Sequence, residues 1–138
     1  MKRMIATLLF ASSLNAVADP LTLQITDVSS NAGKLMIAIL GSEAAYEDKS
    51  APAASLILPA RVGTVTFTTD ALPAGEYAIR VMHDENDNGK LDANFVGIPN
   101  EPYGFSNNTL GRMGPPKWEA VRFSLGADGT TQTIQLNH

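Results

Sequence analysis

The stretch LPAGEYAIRVMHD, residues 72–84, decides the fold of this chain. Its first four residues, Leu72–Gly75, are typical of a tight turn, because proline presets φ and glycine tolerates a positive φ. From residue 76 to residue 83 the side chains then alternate between two faces, which is the period of a β-strand and not of a helix. The more apolar face carries Tyr77, Ile79 and Val81, and the other face carries Ala78, Arg80 and Met82.

Further strand-like segments lie on both sides of this stretch, and turn residues separate them. The run LMIAIL, Leu35–Leu40, is apolar throughout and predicts a central strand covered on both sides. The segment 41–49 is predicted to be a loop or one helical turn, and no amphipathic helix is expected. About seven short strands therefore predict an all-β fold, an antiparallel β-sandwich, with a closed barrel as the alternative. The remaining strand segments are Leu21–Ile25, Ser55–Leu58, Thr64–Thr69, Val121–Leu125 and Thr131–Leu136.

The composition excludes several classes of function. The chain has 138 residues, with 10 lysines and arginines against 14 aspartates and glutamates, a formal net charge of −4 and no cysteine. A nucleic-acid-binding protein needs a basic surface that neutralises phosphates, so no nucleic-acid partner is expected, and the same deficit disfavours an anionic membrane surface. The lack of cysteine excludes disulfides, zinc ribbons, thiol catalysis and lipid attachment through a cysteine.

Residues 1–18 have the layout of a secretory signal peptide. Two basic residues, Lys2 and Arg3, precede an apolar stretch, and Ala-Val-Ala at 16–18 matches a cleavage site. The apolar stretch is shorter than the roughly 20 residues that a membrane span needs; a retained anchor or a buried helix is the alternative. Cleavage removes two basic residues, which leaves 8 basic against 14 acidic residues and a net charge of −6. Residues 19–138 are therefore expected to form a single, monomeric β-sandwich domain that is periplasmic or secreted and not inserted in a membrane.

One segment, residues 84–120, shows no convincing strand. A loop of this length is uncommon unless it is functional or disordered. It carries four aromatic residues, Phe95, Tyr103, Phe105 and Trp118, and disordered segments are depleted in such residues. We therefore expect one long ordered loop that folds onto the sandwich and holds the functional part of the molecule.

The beginning of this loop, DENDNGKLD, has the spacing of a calcium-binding loop. Calcium takes six to eight oxygen ligands, and alternate side chains of a tightly coiled loop converge on one point. Gly89 permits the sharp reversal, but Phe95 stands where such loops carry a bidentate glutamate, so later ligands such as Asn94 or Glu101, or waters, are needed. The alternative is a metal-free turn built by Asx hydrogen bonds. The predicted calcium ligands are Asp84, Asn86, Asn88, Lys90 through its backbone carbonyl, and Asp92.

Three motifs carry a resemblance to a known family: LPAGEY at 72–77, the string HDENDNGKLDANFVGIPNEPYGFSNN that begins at residue 83, and GPP at 114–116. They resemble small secreted bacterial proteins known as domain of unknown function 2141. The turn, the strand and the acidic loop also resemble prealbumin-like and immunoglobulin-like modules of bacterial surface proteins, which are β-sandwiches. The resemblance implies this fold and export. It implies that residues 97–108 form one unit with the acidic turn, and it implies no reaction.

The sequence favours a binding module over an enzyme. His83 and His138 are the only histidines; the first is interpreted as a strand-end residue bonded to its loop, and the second is terminal. No catalytic motif is recognisable, and no catalytic residue is assigned. We expect a non-enzymatic module that binds a protein or carbohydrate; the alternative is a small carbohydrate-active or hydrolase-like protein that uses loop carboxylates such as Glu85 and Glu101. The predicted binding surface is Glu101, Tyr103, Asn107, Asn108 and Trp118.

Overall fold

The computed structural model describes residues 17–112, 114–126 and 129–138. The predicted signal peptide lies outside the described residues except for its last two. Within the described residues the chain forms eight strands, two single-turn α-helices and one 3-10 turn. In chain order the elements are β1 (Val17–Val28), β2 (Lys34–Leu40), α1 (Glu43–Tyr46), β3 (Ala54–Pro59), β4 (Gly63–Pro73), β5 (Gly75–Asp84), β6 (Tyr103–Phe105), the 3-10 turn Ser106–Asn108, α2 (Trp118–Val121), β7 (Phe123–Leu125) and β8 (Thr130–Gln135).

The strands form two sheets, and the predicted all-β sandwich is confirmed. The first sheet has the order β4-β1-β8, and the second has the order β3-β2-β5-β6, with β7 pairing the start of β5. All pairs are antiparallel except β1 and β8, which run parallel. Strand β1 begins two residues before the predicted start of the exported chain, but its register with β4 is irregular before Thr22.

The core lies between the two sheets, because each strand turns its alternate apolar side chains inward. Strand β1 contributes Leu21, Leu23 and Ile25, all of them fully buried. They pack against the inner faces of β2 and β5, whose core residues are Leu35, Ile37, Ile39, Tyr77, Ile79 and Val81. The two faces that the alternation predicted for β5 are therefore the inner and outer faces of the second sheet.

The outer face of the second sheet departs from the expectation for β2. This strand is central, as predicted, but its outward residues Met36 and Ala38 are only half-buried, so its second side is not fully covered. Two cross-strand rows form the open part of this face. The first row is Ile57-Met36-Met82-Tyr103, and the second is Ser55-Ala38-Arg80-Phe105.

The open part of this face, formed by the two cross-strand rows, is bordered on two sides by other parts of the chain. On one side α1 and α2 cover Leu40 and Ala78 and form a second, smaller core with them. On the other side the acidic loop, residues 84–101, follows β5, next to the pair Lys34 and Asp84. The prediction that residues 84–120 lack a strand is wrong at Tyr103–Phe105, which form β6 against β5. None of the helices described is long and apolar enough to cross a membrane.

Candidate functional site

The acidic loop begins at the last residue of β5, Asp84, whose side chain is fully buried. Its Oδ1 accepts a hydrogen bond from the backbone N–H of Asn88 at 3.1 Å, and its Oδ2 accepts one from the N–H of Gly89 at 2.7 Å. The Lys34 ammonium lies 3.8 Å from Oδ2. Asp84 therefore folds the turn back onto the end of the strand, because its oxygens accept from residues four and five positions ahead.

Glu101 closes the same loop from its far end. Its side chain is buried, and its carboxylate accepts the backbone N–H of Glu85 at 2.7 Å and the backbone N–H of Asp92 at 2.9 Å. A charge-assisted bond to a backbone N–H is a strong one, so this carboxylate joins both sides of the loop. The expectation that Glu101 belongs to an exposed binding surface is therefore wrong, because both of its oxygens face backbone donors inside the loop.

The three remaining polar side chains of the motif come together in the loop. The Asn88 amide donates to both oxygens of Asp92, at 2.9 and 3.0 Å, and the Asn86 amide donates to Oδ2. These donors, that of Asn88 first, hold the pKa of Asp92 below its ordinary value. The Oδ1 of Asn88 accepts the backbone N–H of Lys90 at 2.9 Å, and the Oδ1 of Asn86 accepts that of Asn88 at 3.3 Å.

This donor set fits a calcium ion only in part. Asn86, Asn88 and Asp92 converge as the motif predicts, but the amide nitrogens face the carboxylate where calcium needs amide oxygens. Both carboxylate oxygens of Asp84 accept backbone N–H groups. Among the described residues, no group of three or more histidine, aspartate or glutamate side chains is arranged to hold a metal ion. Calcium binding at this loop stays a prediction.

Four aromatic residues form a row over the outer face of the second sheet, whereas Phe95, which the sequence placed with three of them in the ordered loop, is fully exposed. Ring centroids lie 6.2 Å apart for Trp118 and Tyr46, 6.4 Å for Tyr46 and Phe105, and 6.1 Å for Phe105 and Tyr103. The Tyr46 hydroxyl donates to the carbonyl of Pro116 at 2.5 Å, which attaches the segment before α2 to α1. Burial raises the pKa of Tyr46, and nearby Arg80 opposes this effect.

Two adjoining depressions flank this row. One, the aromatic cleft, has a volume of about 690 Å³, and its floor includes Tyr46, Phe105 and Trp118. The other, the methionine groove, has a volume of about 460 Å³ and lies over Met36 and Met82. The charged residues of the cleft are Glu43, Glu47, Asp48, Arg80, Lys117 and Glu119. The other residues that line the groove are Ile37, Ala38, Ser55, Leu56, Ile57, Arg80, Val81, Gly89, Lys90, Leu91, Tyr103 and Phe105.

The structure brings together only part of the predicted binding surface. Tyr103 and Trp118 belong to the same aromatic row. Asn107 instead donates its amide to the carbonyls of Ala120 and Arg122, and the Oδ1 of Asn108 accepts the backbone N–H of Gln135. Both asparagines have positive φ values, 62° and 50°, and they line neither the cleft nor the groove. Their side chains attach the 3-10 turn to its neighbours.

Sequence reasoning missed Tyr46, Met36, Ile57 and Arg80 as candidates. Two features of the sequence could have indicated an open apolar face: both faces of the strand LMIAIL are apolar, and a single arginine lies on the outward face of β5. His83 was expected to bond to the loop that follows its strand, but its fully buried ring has its Nε2 2.7 Å from the carbonyl of Ala32, in the connection between β1 and β2. It lines neither depression.

A family model described as an uncharacterized protein conserved in bacteria (DUF2141) matches residues 23–134. The match begins within β1 and ends within β8, and it includes the acidic loop and the aromatic row. No curated protein and no solved structure matches the chain.

Proposed function

The chain belongs to this uncharacterized bacterial family, and we propose that it is an exported, non-enzymatic binding protein that holds a carbohydrate in the aromatic cleft. One observation carries the proposal: Trp118 and Tyr46 line an open cleft together with carboxylates and the Arg80 guanidinium. Export to the periplasm or beyond is supported by the signal-peptide layout of residues 1–18.

The chemistry of the cleft suits a sugar. A sugar ring has an apolar C–H face that packs on aromatic rings, and its hydroxyls both donate and accept hydrogen bonds. Glu43 and Glu119 accept from hydroxyls at the rim, and Arg80 and Lys117 donate to them. Arg80 is held in place by Asp48, at 2.9 Å, which fixes one donor of the site before a ligand arrives.

The contacts of the loop carboxylates support binding over catalysis. The alternative of a hydrolase-like protein needs two free carboxylates such as Glu85 and Glu101. Both oxygens of Glu101 accept backbone N–H groups, so its use in catalysis would disrupt the loop. His83, the histidine next to this loop, is fully buried and is therefore out of reach of a substrate.

The experiment is a glycan array probed with the purified protein, followed by calorimetry on the glycans that bind. We expect Trp118→Ala to weaken the affinity at least tenfold, because aromatic packing is lost, and Glu43→Gln to weaken it less. Val62→Ala, at an exposed apolar residue in the β3–β4 connection, is the control and leaves affinity unchanged. Absence of any bound glycan, capture of a peptide by the cleft in place of a glycan, or release of cleaved glycan contradicts the proposal.

We also propose that the acidic loop takes up a structural calcium ion. The convergence of Asn86, Asn88 and Asp92 favours it. Rotation of the two amides presents their oxygens next to the Asp92 carboxylate. The Lys90 carbonyl and Asp84 are the other two ligands that the spacing predicts. The ion contributes charge neutralisation and order to the loop and takes no part in a reaction.

A further inference from the structure

The methionine groove is a second open surface, separate from the cleft in its chemistry. Its floor is the cross-strand row Ile57-Met36-Met82-Tyr103. Ile57 is 62% exposed in the middle of β3, although isoleucine is a residue that proteins usually bury. An apolar sheet face that remains open between two walls marks a contact site, and methionine side chains adapt to ligands of varied shape.

The dimensions of the groove suit one narrow apolar chain. The row spans four neighbouring strands, which at about 4.8 Å per strand gives a length of about 14 Å. The volume of about 460 Å³ lies within the range of small-molecule sites. Leu91, on the acidic loop, also lines the groove, and Tyr103, on β6, ends its floor.

The charged residues of the groove favour an anionic group at one end of the apolar ligand. In a chain with 14 acidic and 10 basic residues, both charged residues that line the groove, Arg80 and Lys90, are basic. Asp48 accepts from Arg80 Nη2 at 2.9 Å on the side of the aromatic cleft, which leaves further guanidinium donors. Asp92 lies near Lys90, but both oxygens of Asp92 already accept hydrogen bonds from asparagine amides.

We propose that the methionine groove binds a single-chain anionic amphiphile, an alkyl carboxylate whose chain lies on Met36 and Met82 and whose carboxylate pairs with Arg80 and Lys90. Guanidinium and ammonium groups form their strongest hydrogen bonds with such an oxyanion, and the apolar floor removes the chain from water. This function goes beyond carbohydrate binding in the aromatic cleft, with which the groove shares Arg80 and Phe105.

The test is a titration of the intact protein, labelled with ¹³C at its methionine methyl groups, with decanoate below its micelle concentration. Met36→Leu and Met82→Leu assign the two signals. We expect saturable shifts of both methyl signals. Decyltrimethylammonium, which has the same chain and the opposite charge, is expected to bind at least tenfold more weakly. Lys90→Gln is expected to weaken decanoate binding at least threefold while leaving decanol binding unchanged.

Two further variants locate the site. Ile57→Asp places an anion on the exposed floor and is expected to abolish decanoate binding. Lys117→Gln, the matched loss of a lysine in the aromatic cleft, leaves decanoate binding unchanged. The proposal is overturned if decanoate shifts neither methyl signal, if the cationic amphiphile binds as tightly, or if both signals move with protein concentration in the absence of ligand. The last result assigns the groove to contact between copies of this chain.

Discussion

Three carboxylates of one loop have different tasks, although their residue types are nearly the same. Asp84 accepts from the backbone N–H groups that follow it, and Glu101 accepts from N–H groups on both sides of the loop. Asp92 accepts from two side-chain amides instead. The first two side chains are buried, whereas Asp92 is half-exposed. Of these three carboxylates, Asp92 is therefore the one that an incoming cation or proton reaches first.

The hydrogen bonds to Asp92 predict a stability that depends on pH. Donation by Asn88, and then by Asn86, stabilises the ionised carboxylate and lowers the pKa of Asp92 below the value of about 3.9 in an unfolded chain. A carboxylate with a lowered pKa contributes stability that is fully present above about pH 4 and is lost as the pH falls through its folded-state pKa. Acidification below pH 4 is therefore expected to protonate Asp92 and to loosen the loop.

The measurement is an NMR titration of the Asp92 carboxyl carbon, with Asn88→Ala as the variant. Asn88→Ala removes the hydrogen bond that lowers the pKa of Asp92 most, so this pKa is expected to rise toward its ordinary value. Asn100→Ala removes an exposed asparagine side chain of the same loop and leaves the titration unchanged. An identical Asp92 titration in Asn88→Ala and in the original protein contradicts the assignment.

At the level of single residues, the sequence identified the members of the loop but not their contacts. The spacing of residues 84–92 predicted convergence, and Asn86, Asn88 and Asp92 do converge. The spacing carries no information on which oxygen meets a backbone donor from a distant part of the chain. Glu101 was for that reason placed on the surface, whereas its partners lie 9 and 16 residues earlier, inside the loop.

At the level of elements, alternation predicted the strands that carry a full period. Strand β6 was missed because three residues are too short to show one. It is a strand because β5 offers its edge, and because Gly104 lets the chain approach β8: a Cβ there would lie 2.7 Å from the Gln135 carbonyl oxygen. The parallel pairing of β1 and β8 could not be predicted either, since side-chain alternation does not depend on strand direction.

The acidic loop as a unit carries the calcium prediction. Addition of millimolar calcium to the chelator-treated protein is expected to raise the melting temperature by several degrees, because a ligand that binds only the folded state stabilises it by about 2.7 kcal/mol at a hundredfold excess over its dissociation constant. Asp92→Asn removes the half-exposed carboxylate and is expected to abolish the rise.

Two controls separate the ion from a general effect on the loop. Glu85→Gln changes a neighbouring carboxylate outside the predicted ligand set, so calcium is expected to raise the melting temperature of this variant as it does that of the original protein. Magnesium, which demands octahedral geometry and shorter bonds, produces a smaller one. A melting temperature that is independent of calcium assigns the loop to Asx hydrogen bonds alone.

At the level of the whole molecule, the second sheet has one closed face and one open face. Its inner face completes the core with β1, and its outer face lies open between α1 and α2 on one side and the acidic loop on the other. The apolar run LMIAIL predicted a central strand correctly. It did not distinguish a face covered by protein from a face left for a ligand, because both are apolar.

Because one face is packed and the other is open, the same isoleucine-to-alanine substitution is expected to lower stability on β2 and ligand binding on β3. Ile37, on β2, is 3% exposed in the core, and Ile57, on β3, is 62% exposed on the outer face. Ile37→Ala leaves a cavity and is expected to lower the free energy of unfolding by about 2–5 kcal/mol. Ile57→Ala is expected to change it by less than about 1 kcal/mol, since an exposed side chain contributes little, and to weaken decanoate binding several-fold.

Urea denaturation, followed by circular dichroism, measures both free energies under identical conditions. Equal losses of stability in the two variants would mean that the outer face is as closely packed as the inner face. If Ile57→Ala keeps its stability and its affinity for decanoate, β3 does not contribute to the binding surface of the groove. The expected pattern, in which stability is lost from one face and binding from the other, assigns the core and the ligand surface to opposite sides of one sheet.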